Sequence, residues 1–377
     1  MAKTWMTRRY EMFHGAEQVE HFRNIASVRP CRVVRRSANP LPLASGVTMA
    51  LPRSYVFQHQ TRLAEDFLAE TDTVGLIVLK DGKVVHESYR LGQTATMQWT
   101  SWSVVKSMVS ALVGVALEEG ALAGIDRDVV HFLPELKGSA FDGVSIKTVL
   151  EMSSGARWNE NYGDPDSDIA RFGEAMNGGS LESVAARTVR EYPPGTHFRY
   201  NSIETHVLGM LLARVTNMSL TDYFRSRLWD PCGMEDDAFF QIDGEGIEMS
   251  AGGLCATLRD YAKFGQLYLD EGARNGRQVV PAHWVRTSTR PNAPHVEPGR
   301  LMPGLPFGYG FQWWLPDSSG AFTAIGIYNQ FVFVDPRASV VIAKNSANRN
   351  YAKSYDEAGY RENEHMRLFG EIAKALS

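Results

Sequence analysis

Apolar positions along this chain change period twice. Residues 74–79 and 84–89 form two β-rich runs, Val74-Gly-Leu-Ile-Val-Leu79 and Val84-Val-His-Glu-Ser-Tyr89, on either side of Asp81-Gly82. This predicts an antiparallel hairpin, because Asp-Gly readily adopts the left-handed backbone of a tight turn. Just before it, Leu63, Phe67 and Leu68 predict a helix over residues 61–70. Over residues 103–119, Val104, Val105, Met108, Val109, Leu112, Val113, Val115 and Ala116 cover a broad helical face, and Gly120 stops it. So apolar a helix belongs at the centre of a fold. Residues 125–255 read mainly as helices and loops, with helices at 146–152 and 206–215, and another follows at 260–269. After a proline- and glycine-rich stretch at 291–306 the strand period returns at 309–314, 330–334 and 339–343. Asp335-Pro-Arg-Ala338 turns between the last two, and residues 362–376 read as an amphipathic helix.

Strand patterns at both ends and helices in the middle predict an α/β (α+β) fold. Its central, mainly antiparallel sheet is drawn from both chain ends and flanked by helices, with a mostly helical lobe inserted. The expected division is an N-terminal extension (1–50) wrapping the core, an α/β domain (51–120 and 256–377) and a helical domain (121–255).

The 377 residues are 44% hydrophobic and 22% charged, an ordinary globular balance. A formal net charge of −4 gives no basic surface for nucleic acid or anionic membrane. Three scattered cysteines, Cys31, Cys232 and Cys255, suggest neither a disulfide framework nor a cysteine-rich zinc site. The first ten residues are charged with no apolar run after them, and no stretch approaches the roughly 20 apolar residues of a membrane span. The expectation is a cytoplasmic protein with no membrane association. No HExxH, Gly-x-Ser-x-Gly or phosphate-binding glycine loop occurs, and Asp164, Asp166 and Asp168 lack the remaining ligands of a calcium loop. No metal or cofactor is expected.

The candidate chemistry lies in Ser103-Val-Val-Lys106 and Tyr200-Asn-Ser202. Residues i and i+3 share a helix face, so Ser103 would stand one turn above Lys106. A desolvated lysine loses its charge near neutral pH and can take the serine proton. The helix start would favour an oxyanion close by. A phenol near a cationic lysine has a lowered pKa, so Tyr200 could shuttle protons between the serine and a leaving group. A plainer account of each piece also fits: a serine cap over a snorkelling lysine, and a tyrosine packed under a loop.

In this order the motifs resemble the serine β-lactamase-like hydrolases of the class C and penicillin-binding type, over about residues 55–345. That group includes esterases and 6-aminohexanoate-dimer hydrolases. Leu150-Glu-Met-Ser-Ser-Gly155, Gly252-Gly-Leu-Cys-Ala-Thr-Leu-Arg-Asp260 and Tyr309-Gly-Phe-Gln-Trp-Trp314 are similar to further landmarks. The resemblance implies catalysis by Ser103, Lys106 and Tyr200, with the backbone N–H groups of Ser103 and Ile327 as the oxyanion hole. It also implies substrate contacts from Tyr162, Ser202, Gly326 and Tyr328. The family's Lys-Thr-Gly is missing, and Phe322-Thr-Ala-Ile-Gly-Ile-Tyr-Asn-Gln330 occupies that region. This is closer to the amide and ester hydrolase branch. The expected partner is a small amide or ester, and a homodimer is allowed for. The rivals are a β-lactamase or D-alanyl-D-alanine carboxypeptidase, and a non-catalytic acyl-binding sensor on the same scaffold.

Overall fold

The hairpin closes at Asp81 and Gly82, both left-handed at φ 50° and 75°, and joins strands Thr73–Lys80 and Lys83–Tyr89. The computed structural model describes residues 17–302, 305–354 and 356–377. The charged first ten residues therefore lie outside the described residues, as do positions 303 and 304 of the proline-rich loop. On its other edge the Thr73–Lys80 strand pairs antiparallel with Val340–Ser346, 260 or more residues later in the chain. The sheet has eight strands, continuing through Gln330–Asp335, Phe322–Gly326, Trp314–Leu315 and Gly308–Tyr309 on one side. Beyond Lys83–Tyr89 it ends in the parallel Ala44–Ser45. Sequence-distant ends thus build one mixed, mainly antiparallel sheet.

Helices cover both of its faces. Leu258–Leu269 packs on one face and is entered through a reciprocal cap, Thr257 Oγ1 accepting from the Asp260 N–H and donating to its carboxylate. Glu362–Ala375 packs Leu368, Phe369 and Ile372 against Phe331, Phe333 and Ile342 on the other. The central helix, Val105–Glu118, is buried over its first twelve residues and packs against Ser202–Thr216.

Two local departures from the sequence pattern have physical causes. The helix predicted over 61–70 begins at Ala64, because Gln60–Leu63 pairs with Ser54–Phe57 about Gln58 and His59, both left-handed. The strand predicted over 309–314 is broken, since Gln312 turns left-handed at φ 64° and sends its amide inward. There it accepts from Thr205 (2.6 Å) and donates to the carbonyl of Leu150 (3.0 Å). A second sheet, antiparallel throughout, joins Cys31–Val34, Ala238–Gln241, Leu254–Ala256 and Trp99–Thr100. Its last strand runs straight into Ser103.

Candidate active site

Ser103 sits in a single 3-10 turn, Trp102–Val104, between that strand and the central helix. Trp102 is left-handed at φ 43°, a conformation that costs a non-glycine residue about 1–2 kcal/mol. Packing offsets it. Phe22, from the N-terminal helix Gln18–Arg23, meets Trp99, Trp102 and Tyr328 edge-on at centroid distances of 5.9, 5.1 and 4.9 Å. Such pairs contribute about 0.5–1.5 kcal/mol each beyond area burial. The serine itself is 8% exposed.

One helical turn on, Lys106 is 1% exposed, and its Nζ donates to Ala251 O (2.7 Å) and Ser202 Oγ (3.1 Å). It also lies 5.5 Å from the centroid of the Tyr200 ring. Burial pulls the Lys106 pKa down to about 7, against the upward pull of the Glu160 carboxylate. A large fraction of this amine is therefore neutral at neutral pH. The Tyr200 phenol lies close enough to the Ser103 side chain for that group to pull its pKa down, and the Tyr200 ring stacks on Trp314 at 5.4 Å. The direction of its pKa differs from the sequence expectation. Burial, with Tyr309 and Glu160 close by, holds the phenol well above its ordinary value. Tyr200 is a protonated donor, and the amine is the stronger candidate base.

Ser202 opens the Ser202–Thr216 helix, with Asn201 capping it through a bond from the Ile203 N–H (3.0 Å). The Ser202 hydroxyl accepts from Lys106 and donates to Glu160 (2.5 Å), so it bridges base and carboxylate. Glu160 had no role in the sequence reading, yet it is a hub. It accepts from Trp158 Nε1, from the Tyr162 hydroxyl (2.7 Å) and from the Ser202 N–H (3.2 Å). The alternation Trp158-x-Glu160-x-Tyr162 was the available signal. Tyr162 is held by this carboxylate beside Tyr200, and burial and Glu160 raise its pKa well above the ordinary value. One landmark, Ser153-Ser154-Gly155, also reaches the region: Ser154 Oγ donates to Glu204 (2.6 Å), whose pKa burial raises to about 8.

Opposite this cluster, strand Phe322–Gly326 passes the nucleophile. A Cβ on Gly326 would lie 2.6 Å from Ser101 O and 3.1 Å from Ser103 N, so only glycine allows this approach without displacing main chain. Ile327 and Tyr328 follow directly in the turn to Gln330. The structure thus brings Ser103, Lys106, Tyr200, Ser202 and Tyr162 together on one side, and Gly326, Ile327 and Tyr328 beside Ser103 on the other. Among the described residues no cluster of histidine, cysteine or acidic side chains could hold a metal ion.

Fold and comparisons together define a hydrolase of the serine type. Residues 61–366 match the β-lactamase family, and the chain belongs to that family. It is 31% identical over 293 residues to the 6-aminohexanoate-dimer hydrolase of Paenarthrobacter ureafaciens, covering 75% of this chain and 74% of that one. A Bacillus anthracis structure provisionally described as a 6-aminohexanoate-dimer hydrolase superposes with a TM-score of 0.86. It is 23% identical, and the match covers 97% of this chain and 96% of that one. EstCE1, a hydrolase with promiscuous acyltransferase activity, gives a TM-score of 0.64 at 17% identity, covering 83% and 96%. Among the described residues no helix is long and apolar enough to cross a membrane.

Proposed function

We propose that this hydrolase cleaves small amides or esters through a covalent seryl ester. Ser103 Oγ attacks the carbonyl carbon. Its proton passes to Tyr200 as the phenol gives its own to the neutral Lys106 amine. The tetrahedral oxyanion lies between the N–H groups of Ser103 and Ile327. The proton then returns through Tyr200 to the leaving amine or alcohol, and water releases the acyl group by the reverse path. Tyr162, Tyr328 and the Gly326 backbone line the substrate, while Ser202 acts through Lys106.

The observation that carries this reading is the desolvated amine: Lys106 lies beneath Tyr200, 1% exposed, with a pKa of about 7. The Ser103 side chain is in turn near enough to the Tyr200 phenol to pull its pKa down. The 6-aminohexanoate-dimer hydrolase among the relatives and a family VIII carboxylesterase among the structural neighbours support this substrate class. The strand beside the serine carries Ile325-Gly326-Ile327 with no lysine, which weighs against recognition of a β-lactam or peptidoglycan carboxylate.

The test is intact mass after a fluorophosphonate probe, with turnover of p-nitrophenyl esters and linear ω-amino-acid amides. One adduct on Ser103 is expected. Ser103→Ala should lose the adduct and more than about 10³ of the turnover, with little change in thermal midpoint. Full turnover in that variant would falsify the assignment. A stoichiometric burst without steady state would point to a sensor, and efficient hydrolysis of a chromogenic cephalosporin to a β-lactamase.

A further inference from the structure

The residues that follow Gly326 adopt a conformation that needs external support. Tyr328 and Asn329 are consecutive left-handed residues, at φ 62° and 66°, and neither is glycine. Such backbone persists only where its surroundings over-determine it. Two buried side-chain amides supply that constraint. Gln330, 1% exposed, places Nε2 within hydrogen-bond distance of the carbonyls of Ile327 (3.1 Å), Tyr328 (3.1 Å) and Ser346 (2.7 Å). Its Oε1 accepts from Trp99 Nε1 (3.0 Å) and from the Ser346 N–H (3.0 Å). Asn329, 0% exposed, donates to Tyr360 O (2.7 Å) and accepts from Asn348 Nδ2 (2.7 Å).

These partners have a geometric consequence. Trp99 lies on the strand that delivers Ser103, and Ile327 follows the glycine whose missing Cβ leaves room for the Ser101–Ser103 main chain. One amide therefore ties the segment carrying one main-chain donor to the turn carrying the other, and both to strand Val340–Ser346. Two donors must converge on an oxygen to within a few tenths of an ångström, and a misplacement of about 1 Å can cost about 10²-fold in rate.

We infer that Gln330, assisted by Asn329, is a positioning residue that sets the separation of the Ser103 and Ile327 N–H groups. The inference rests on the proposed oxyanion hole. A purely structural role would lower stability or protein yield and leave transition-state recognition alone.

The test compares Gln330→Met, close in volume and without the amide, with Asn329→Gly, which keeps the left-handed backbone and drops the tether. The readouts are kcat and KM on a p-nitrophenyl ester, and inhibition by a boronic acid that forms a tetrahedral adduct. Inhibition by the product acid, which forms none, is the control. For Gln330→Met we expect kcat to fall about 30- to 300-fold with KM within about threefold. Boronate affinity should fall by a similar factor, and product inhibition should hold. Asn329→Gly should show the same signature at about 10-fold, and it decides the matter if Gln330→Met does not fold. A folded variant with wild-type kcat and boronate affinity overturns the inference, as does equal weakening of boronate and product acid. If Ser103→Ala is inactive while both amide variants are neutral, the positioning role falls and the serine mechanism stands. If Ser103→Ala keeps full turnover, the mechanism beneath it falls instead.

Discussion

On one side of Ser103 stand Lys106, Ser202, Glu160 and Tyr162, side chains joined by hydrogen bonds and bearing ionisable groups. On the other, residues 326–330 offer main-chain groups held by two neutral amides. The first side sets which groups carry protons. Burial of one amine against one carboxylate brings the Lys106 pKa to about 7. The second side has no charge to titrate and sets distance. Damage to the first should therefore appear in the pH profile, and damage to the second in the rate at every pH.

The largest expected effect on the protonic side comes from Lys106→Arg. It keeps a cation that cannot deprotonate, so turnover should fall by more than about 10³ at all accessible pH. Retention of a tenth of the activity would remove the amine as base. Tyr200→Phe comes next, at about 10²–10³ in kcat, since it deletes the conduit but leaves base and oxyanion donors in place. A milder loss for a substrate with a good leaving group, such as a p-nitrophenyl ester, than for an amide would confirm its role toward the leaving group.

The smallest effect sharpens the contrast most. In the wild type, kcat/KM should rise with pH through about 7 as Lys106 loses its proton. The Glu160 charge raises that pKa, so Glu160→Gln should move the acid limb to lower pH. A limb that stays or moves upward contradicts the electrostatic link. Gln330→Met should leave the limb where it is while lowering the whole curve.

What the sequence disclosed follows the range of the interactions. The Asp81-Gly82 hairpin and the central helix are local, and both were legible from periodicity. That Ser103, Lys106 and Tyr200 would lie near one another was legible because one spacing and one ordered set of motifs carry them. The break at Gln312 was not, since its cause is an amide bonded to residues more than 100 positions earlier. The four-stranded sheet was hidden by strands of two to four residues from three distant regions. Glu160 read as one polar residue in a polar loop, and only folding shows four donors aimed at it. Gln330 stood in a motif with no role, because its five hydrogen bonds go to four residues in three separate segments.

The sheet order also bears on how the chain is made. Thr73–Lys80 and its hairpin partner leave the ribosome early, while Val340–Ser346 emerges more than 250 residues later. For that interval the nascent polypeptide presents an apolar strand edge without its mate, the kind of surface that recruits other unfinished chains. Synthesis in cells should therefore depend on chaperone capacity, and pausing translation between the two strands should lower the soluble yield.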